Sequence, residues 1–307
     1  MGKVRLLAMV GVFLLMVGCA RPRQQRATLG EPSEALLQQT ARVVHDHDLE
    51  GLTRLLDEHP EVLTPIGGRI YPLELAIETD QPEVAALLLK RGLNPNLKDE
   101  QGETPLHRAL GGRGRVLKVL LAAGASPDLV DQEGRTPLHR AAALGMVEAA
   151  RHLLEAGAGP NQRDREGNTP LHLAAESDEE LVDLLLYHGA AIEAANKEQQ
   201  SPLYRATLAG KPDCVALLLA RGANLAVTPS PLAIARQQLE QARQSPTEGF
   251  DQAVLDMVAE EIKNRTICLS LLEEPGKVHV GSPADEDPFA VPAVEVWPWV
   301  KNPQSRS

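Results

Sequence analysis

Thr104-Pro105-Leu106-His107 occurs again as Thr136-Pro137-Leu138-His139 and a third time as Thr169-Pro170-Leu171-His172. Looser copies are Tyr71-Pro72-Leu73-Glu74, Ser201-Pro202-Leu203-Tyr204 and Ser230-Pro231-Leu232-Ala233. Successive prolines in this series are 33, 32, 33, 32 and 29 residues apart, so one structural unit is being repeated. A second marker runs in phase with the first: Arg91-Gly92, Ala123-Gly124, Ala156-Gly157, His188-Gly189 and Arg221-Gly222. Between the markers lie Leu-rich runs such as Leu87-Leu88-Leu89 and Leu217-Leu218-Leu219.

Each part of the unit has a physical reason. Pro105 opens a helix where its missing N–H costs nothing, and Thr104 caps that helix. A short inner helix carrying Leu106, Ala109 and Leu110 follows, and a turn such as Gly145 or Gly210 reverses the chain. An outer helix with Leu and Val at helical spacing comes next, and Gly157 or its equivalent ends it in a left-handed conformation. The connecting segments Asp99-Glu100-Gln101-Gly102, Asp131-Gln132-Glu133-Gly134 and Asp164-Arg165-Glu166-Gly167 have turn chemistry. One such unit cannot bury its apolar face alone; stacked neighbours complete the core.

The pattern resembles the ankyrin family, whose repeat is about 33 residues long and carries the signature T-P-L-H-x-A. The resemblance implies an all-α fold, an ankyrin-repeat solenoid of stacked helix pairs with hairpin-like loops. The stack is expected over residues 33–264, with five recognisable copies between divergent caps at about 33–63 and 230–264. In the N-terminal cap, Ala35-Leu36-Leu37 and Leu49 to Leu56 read as short amphipathic helices. In the C-terminal cap, Leu232 to Arg243 and Phe250 to Lys263 read as a longer pair. Residues 265–307 hold many Pro and Gly and read as an irregular tail, with Trp297 and Trp299 either docking on the stack or forming a linear motif.

Composition agrees with a thin-layered stack. Aromatic residues make up only 3% of the 307, so the core has to be built from Leu, Ala, Val and Ile. The balance of 31 basic against 42 acidic residues argues against nucleic acid, since a phosphate-binding face needs a surplus of Lys and Arg.

The N-terminus reads as an address. Lys3 and Arg5 precede an apolar and glycine run of twelve residues, Leu6 to Val17. A membrane-spanning helix needs roughly 18 or more apolar residues, so the run reads as a secretory signal peptide. Leu15-Met16-Val17-Gly18-Cys19 resembles the lipobox of bacterial lipoproteins. That resemblance implies cleavage after Gly18, so that residues 1–18 are removed. It also implies lipidation of Cys19 and a polar tether over 19–32. Ala20 in place of Asp points, by the same resemblance, to the outer membrane facing the periplasm.

Chemistry is sparse. His107, His139 and His172 are one repeat apart, roughly 10 Å by helix packing, too far to share a zinc ion with ligands at about 2 Å. The ankyrin resemblance assigns them structural hydrogen bonds between repeats. His45-Asp46-His47-Asp48 reads as a solvated turn, with a metal or catalytic role as the alternative. Gly111-Gly112-Arg113-Gly114 follows a helix and reads as a shortened turn, not a phosphate loop. No hydrolase elbow or H-E-x-x-H is present, so neither catalysis, a metal nor a cofactor is expected. Cys214 and Cys268 would either pair, clamping the tail onto the last layers, or stay as free thiols.

Ankyrin arrays bind through hairpin tips and the exposed face of the inner helices. By that resemblance the candidate tips are Lys98, Glu100, Gln101, Gln132, Glu133, Arg163, Arg165 and Lys197. The candidate inner-helix positions are Glu78, Thr79, Arg108, Arg140, Leu144, Glu176, Ser177, Arg205 and Leu208. Arg108, Arg140 and Arg205 recur at one repeat position, which suits an acidic partner protein. The expected function is a membrane-anchored binding module of the bacterial envelope, with an inhibitor or immunity-type protein as the alternative.

Overall fold

A computed structural model describes residues 32–66, 71–110, 114–226, 230–243 and 252–275. The leader, Cys19, Gly111 to Arg113 and the segment holding Trp297 and Trp299 lie outside the described residues. Fourteen α-helices and one short 3-10 helix are present among the described residues, with no strand ladder. The chain falls into two compact units divided between Gln132 and Glu133.

In the first unit, α1 (Glu34–His45) and α2 (Leu49–Glu58) form a helix pair followed by the 3-10 turn Pro60–Leu63. Ser33 caps α1 by accepting the Leu36 N–H, and Asp48 caps α2 by accepting the Gly51 N–H. The repeats continue with α3 (Tyr71–Glu78), α4 (Pro82–Lys90), α5 (Pro105–Ala109) and α6 (Arg115–Ala122). Inner α1, α3 and α5 pack in series, and outer α4 packs on α6.

The second unit repeats the arrangement. Its helices are α7 (Pro137–Ala143), α8 (Val147–Glu155), α9 (Pro170–Ala174), α10 (Glu179–Tyr187), α11 (Pro202–Ala209), α12 (Pro212–Ala220), α13 (Pro231–Arg243) and α14 (Gln252–Glu273). Inner α7, α9, α11 and α13 stack on one another, as do outer α8, α10, α12 and α14. Within each unit the stacking is therefore that of a helix-pair solenoid.

The Pro-Leu dipeptide explains the inner layer. Thr136 is extended at φ −81° and ψ 166°, Pro137 starts the helix, and Leu138 turns inward to complete burial. Leu106 and Leu171 are equally buried in their own layers, and Leu203 nearly so. Each contributes about 2 kcal/mol by leaving water. Alanines 109, 141, 142, 174 and 206 fill the remaining inner positions, small enough for close approach of the helices. Outer helices bury Leu at three- and four-residue spacing, as with Leu117 and Leu120 or Leu181 and Leu185.

The last helix departs from the sequence expectation. α14 runs to Glu273, so residues 265–273, expected in the irregular tail, are helical. The reason is burial: Cys268 and Leu272, four residues apart on one face, are 1% and 2% exposed. The first proline able to stop the helix is Pro275. Among the described residues no helix is long and apolar enough to cross a membrane.

Candidate protein-binding surface

The repeated histidines face inward. In each Thr-Pro-Leu-His box the Thr backbone N–H donates to the His Nδ1: Thr104 to His107 at 3.1 Å, Thr136 to His139 at 3.2 Å, Thr169 to His172 at 3.1 Å. Nδ1 therefore acts as acceptor and Nε2 carries the proton. His139 Nε2 donates to the Asn168 carbonyl at 3.1 Å, and His172 Nε2 to the Gln200 carbonyl at 3.0 Å. The His139 and His172 rings thus tie their own helix starts to the loop of the next repeat. Burial pushes the His172 imidazole down to about 4; the nearby charges of Arg205 and Arg163 reinforce this, and the Gln200 bond opposes it.

The loop tips are locked by their acidic or amide residue. Asp99 Oδ1 accepts the N–H groups of Gln101 and Glu103, both at 2.9 Å. Asp164 Oδ1 does the same for Glu166 and Asn168, and Asn196 Oδ1 for Glu198 and Gln200. These are side-chain turns that remove backbone freedom without a strand ladder. Neighbouring tips are then stitched together by backbone bonds. Gln132 N–H donates to the Gln101 carbonyl at 3.0 Å in the first unit. Arg165 N–H reaches Glu133 O at 2.8 Å and Lys197 N–H reaches Glu166 O at 2.9 Å in the second.

Several of the candidate tip side chains are engaged in the same work. Lys98 Nζ donates to Val130 O at 2.6 Å, and Gln132 Nε2 to Glu100 O at 2.6 Å. Arg163 donates to Gly167 O at 3.0 Å and Ala195 O at 2.6 Å. Lys98, Glu100, Gln101 and Gln132 therefore form one group in the first unit, while Glu133, Arg163, Arg165 and Lys197 lie along the tips of the second.

The inner-helix arginines require a correction. Arg108 and Arg205 do not offer spare positive charge to an acidic partner. Arg108 is ion-paired with Glu74, which is 5% exposed, and with Glu103 at 3.2 Å. Arg205 is ion-paired with Glu176 and donates to Gln200 Oε1 at 3.3 Å. Arg140 is half-buried and also makes contacts inside the chain. A half-buried guanidinium would be costly to desolvate alone, and for Arg108 and Arg205 a carboxylate from the preceding repeat offsets that cost. Glu74 was not singled out by the sequence, because Arg108 finds it 34 residues back whereas Arg205 finds Glu176 29 back. No single spacing announces the pairs.

Exposed candidates remain in both units. Leu144, at the end of α7, is 56% exposed. The adjoining Gly145 lies against Ser177, whose hydroxyl donates to the Ala142 carbonyl at 2.9 Å. Glu176 precedes Ser177 and holds Arg205, so Leu144, Ser177, Glu176 and Arg205 are contiguous. Leu208, half-buried, has its carbonyl capped by Arg265 at 3.2 Å. In the first unit, Glu78 and Thr79 are exposed beside the Glu74–Arg108 pair.

The His45–Asp48 segment is a turn. His45 contacts Asp46 at 3.3 Å, His47 has φ 56°, and Asp48 caps α2. Among the described residues no group of three or more His, Cys, Asp or Glu is placed to hold a metal ion.

Comparison with known proteins gives the same repeat. The family model "Ankyrin repeats (3 copies)" matches residues 40–131, 73–164, 112–196 and 138–229 in overlapping registers. NF-kappa-B inhibitor alpha from Sus scrofa, Rattus norvegicus and Homo sapiens is 55% identical to this chain over 38 residues. That segment is 12% of this chain and 12% of each relative, about one repeat's length. With more than half of the chain covered by the repeat model and helix pairs stacked in that manner, the protein belongs to the ankyrin-repeat family.

Proposed function

We propose that the chain is a non-catalytic protein-binding module tethered to a bacterial envelope membrane through a lipid on Cys19. The observation that carries the binding half is the contiguous surface of Leu144, Ser177, Glu176 and Arg205. It has one exposed apolar residue, Leu144, at its edge, and its Glu–Arg pair is already neutralised and held in place. Such a surface presents shape and an apolar anchor at small entropic cost, because its polar side chains are ordered before the partner arrives. The partner is a protein that covers Leu144 and the Ser177–Glu176–Arg205 face beside it, not a polyanion seeking free arginines.

The tether rests on the Leu15–Cys19 motif after a basic start and a short apolar run. A single acyl chain holds a protein at a membrane only marginally, and two or more hold it stably, so a multiply acylated Cys19 is sufficient. Expression in a lipoprotein-processing bacterium with labelled palmitate tests this. The wild type is expected to incorporate label and sediment with outer membranes, and Cys19→Ser to do neither. Label-free wild-type protein would overturn the tether.

A second reading is blockade, in which the same surface occludes a toxin or an envelope enzyme. It is favoured by the likeness of one repeat-sized segment to a protein named as an inhibitor. Affinity capture from envelope extracts separates the two readings. A captured enzyme or toxin that loses activity in the complex supports blockade, and one that keeps it supports scaffolding.

A further inference from the structure

We propose that Cys214 and Cys268 form a thiol couple whose oxidation to an intrachain disulfide fastens α14 to the last complete repeat. Both are free thiols in this structure, buried at 2% and 1% exposure. Cys214 lies in the first turn of α12 and Cys268 lies in the last third of α14. These two helices pack directly against each other. They run in the same direction, since each is the second member of a helix hairpin whose inner members, α11 and α13, also stack.

Arg265 sets their register. Its guanidinium donates to the Leu208 carbonyl at 3.2 Å, and its side chain lies over Gly210. Cys268 is three residues beyond Arg265 on α14, and Cys214 is the third residue of α12, whose first residue, Pro212, follows Gly210 by two, so both thiols lie within about one helical turn past that contact. Packed helices about 8–10 Å apart bring facing Cα atoms to roughly 4–6 Å, the span a disulfide bridges.

The oxidant is a disulfide-bearing molecule such as oxidised glutathione. One protein thiolate attacks the oxidant and expels a first glutathione thiolate, leaving a mixed disulfide. The second protein thiolate attacks that protein sulfur and expels the second glutathione. Two protein thiols thus lose two electrons and two protons, and the oxidant leaves as two thiols. Burial pushes both cysteines up to about 12, so little thiolate exists while α14 is docked. Exchange then passes through transient opening of α14, and a bond once closed is shielded from reductant. Cross-linking would also restrict the unfolded chain between the two cysteines.

The test uses the full-length chain unfolded in urea and refolded in a mixture of reduced and oxidised glutathione. Circular dichroism checks recovery of helix, and oxidation of the folded chain in sub-denaturing urea provides a second route. After alkylation and digestion without reductant, a peptide pair linking Cys214 to Cys268 is expected, with the thermal midpoint several degrees above that of the reduced chain. Cys214→Ala and Cys268→Ala should each abolish the difference between oxidised and reduced samples. Glutathione adducts on both cysteines, cross-links between chains, or two alkylated thiols would overturn the proposal. The pairing rests on the packing of α12 and α14, not on export of the chain, so its failure leaves the Cys19 tether standing.

Discussion

Gln199 occupies the tip position that Gly134 and Gly167 hold in the preceding turns of the second unit, and it adopts the same left-handed backbone at φ 61°. A side chain there costs roughly 1 kcal/mol, which glycine avoids. Gln199→Gly is therefore expected to stabilise the second unit by about 0.5–1 kcal/mol in urea unfolding. Gly167→Ala should do the opposite by about 1–2 kcal/mol, since its φ is 80° and an added Cβ would sit 3.0 Å from the Lys197 nitrogen. His172 makes a pH prediction. Its folded value of about 4 lies below the ordinary 6.5, so the unfolded chain binds the proton more readily. The stability it contributes is full above pH 6.5 and is lost as pH falls toward 4, a change on the order of 3 kcal/mol. Protonation puts a hydrogen on Nδ1, where the Thr169 N–H already points. Urea unfolding at pH 7.5 and 5.0 should show a smaller loss in His172→Gln than in the wild type. An equal loss would remove His172 from the account.

At the scale of elements, α6 shows how one repeat completes another. Its own cap position is Gly114, which has no side chain to offer. Asp80, from the turn before α4, accepts the Val116 N–H at 3.3 Å and the Arg115 Nε–H at 2.8 Å. Burial alone would raise the Asp80 carboxyl, but the Arg115 and Val116 hydrogen bonds and the Arg115 charge outweigh it and hold it below the usual carboxylate range. A depressed carboxyl contributes stability above its unfolded value near 3.8 and loses it as pH falls through the lower folded value. Asp80→Asn is expected to cost about 1 kcal/mol and to speed hydrogen exchange at the Val116 amide while leaving α8 to α14 unaffected. Unchanged exchange at Val116 would show that α6 does not depend on this cap. Helix starts of the Thr-Pro-Leu-His kind are legible in sequence because every partner lies within four residues. The cap of α6 is not, because its donor and acceptor are 36 residues apart.

For the molecule, the predicted outcome concerns binding. Leu144→Glu changes a side chain that is 56% exposed, so helix content and thermal midpoint should stay within error of the wild type. Capture of the partner should fall at least tenfold, because a charge replaces the exposed apolar anchor of the surface. Arg205→Ala should instead lower stability as well, since it strands Glu176 and removes a donor to Gln200. Equal capture by Leu144→Glu and wild type would move the binding surface elsewhere.

Sequence alone determined the repeat, its period and the inner and outer helices, because those depend on residues within one unit and on a pattern copied along the chain. The proposed tether at Cys19 rests on a local motif alone. Tertiary structure decided the rest. It turned Arg108 and Arg205 from a basic face into half-buried ion pairs, since the carboxylates arrive from other repeats at irregular spacing. It also extended α14 through Glu273, where Cys268 and Leu272 gain burial only against the helices they pack on. Stacking writes contacts between residues about one repeat apart, and no local propensity encodes which of those neighbours will meet.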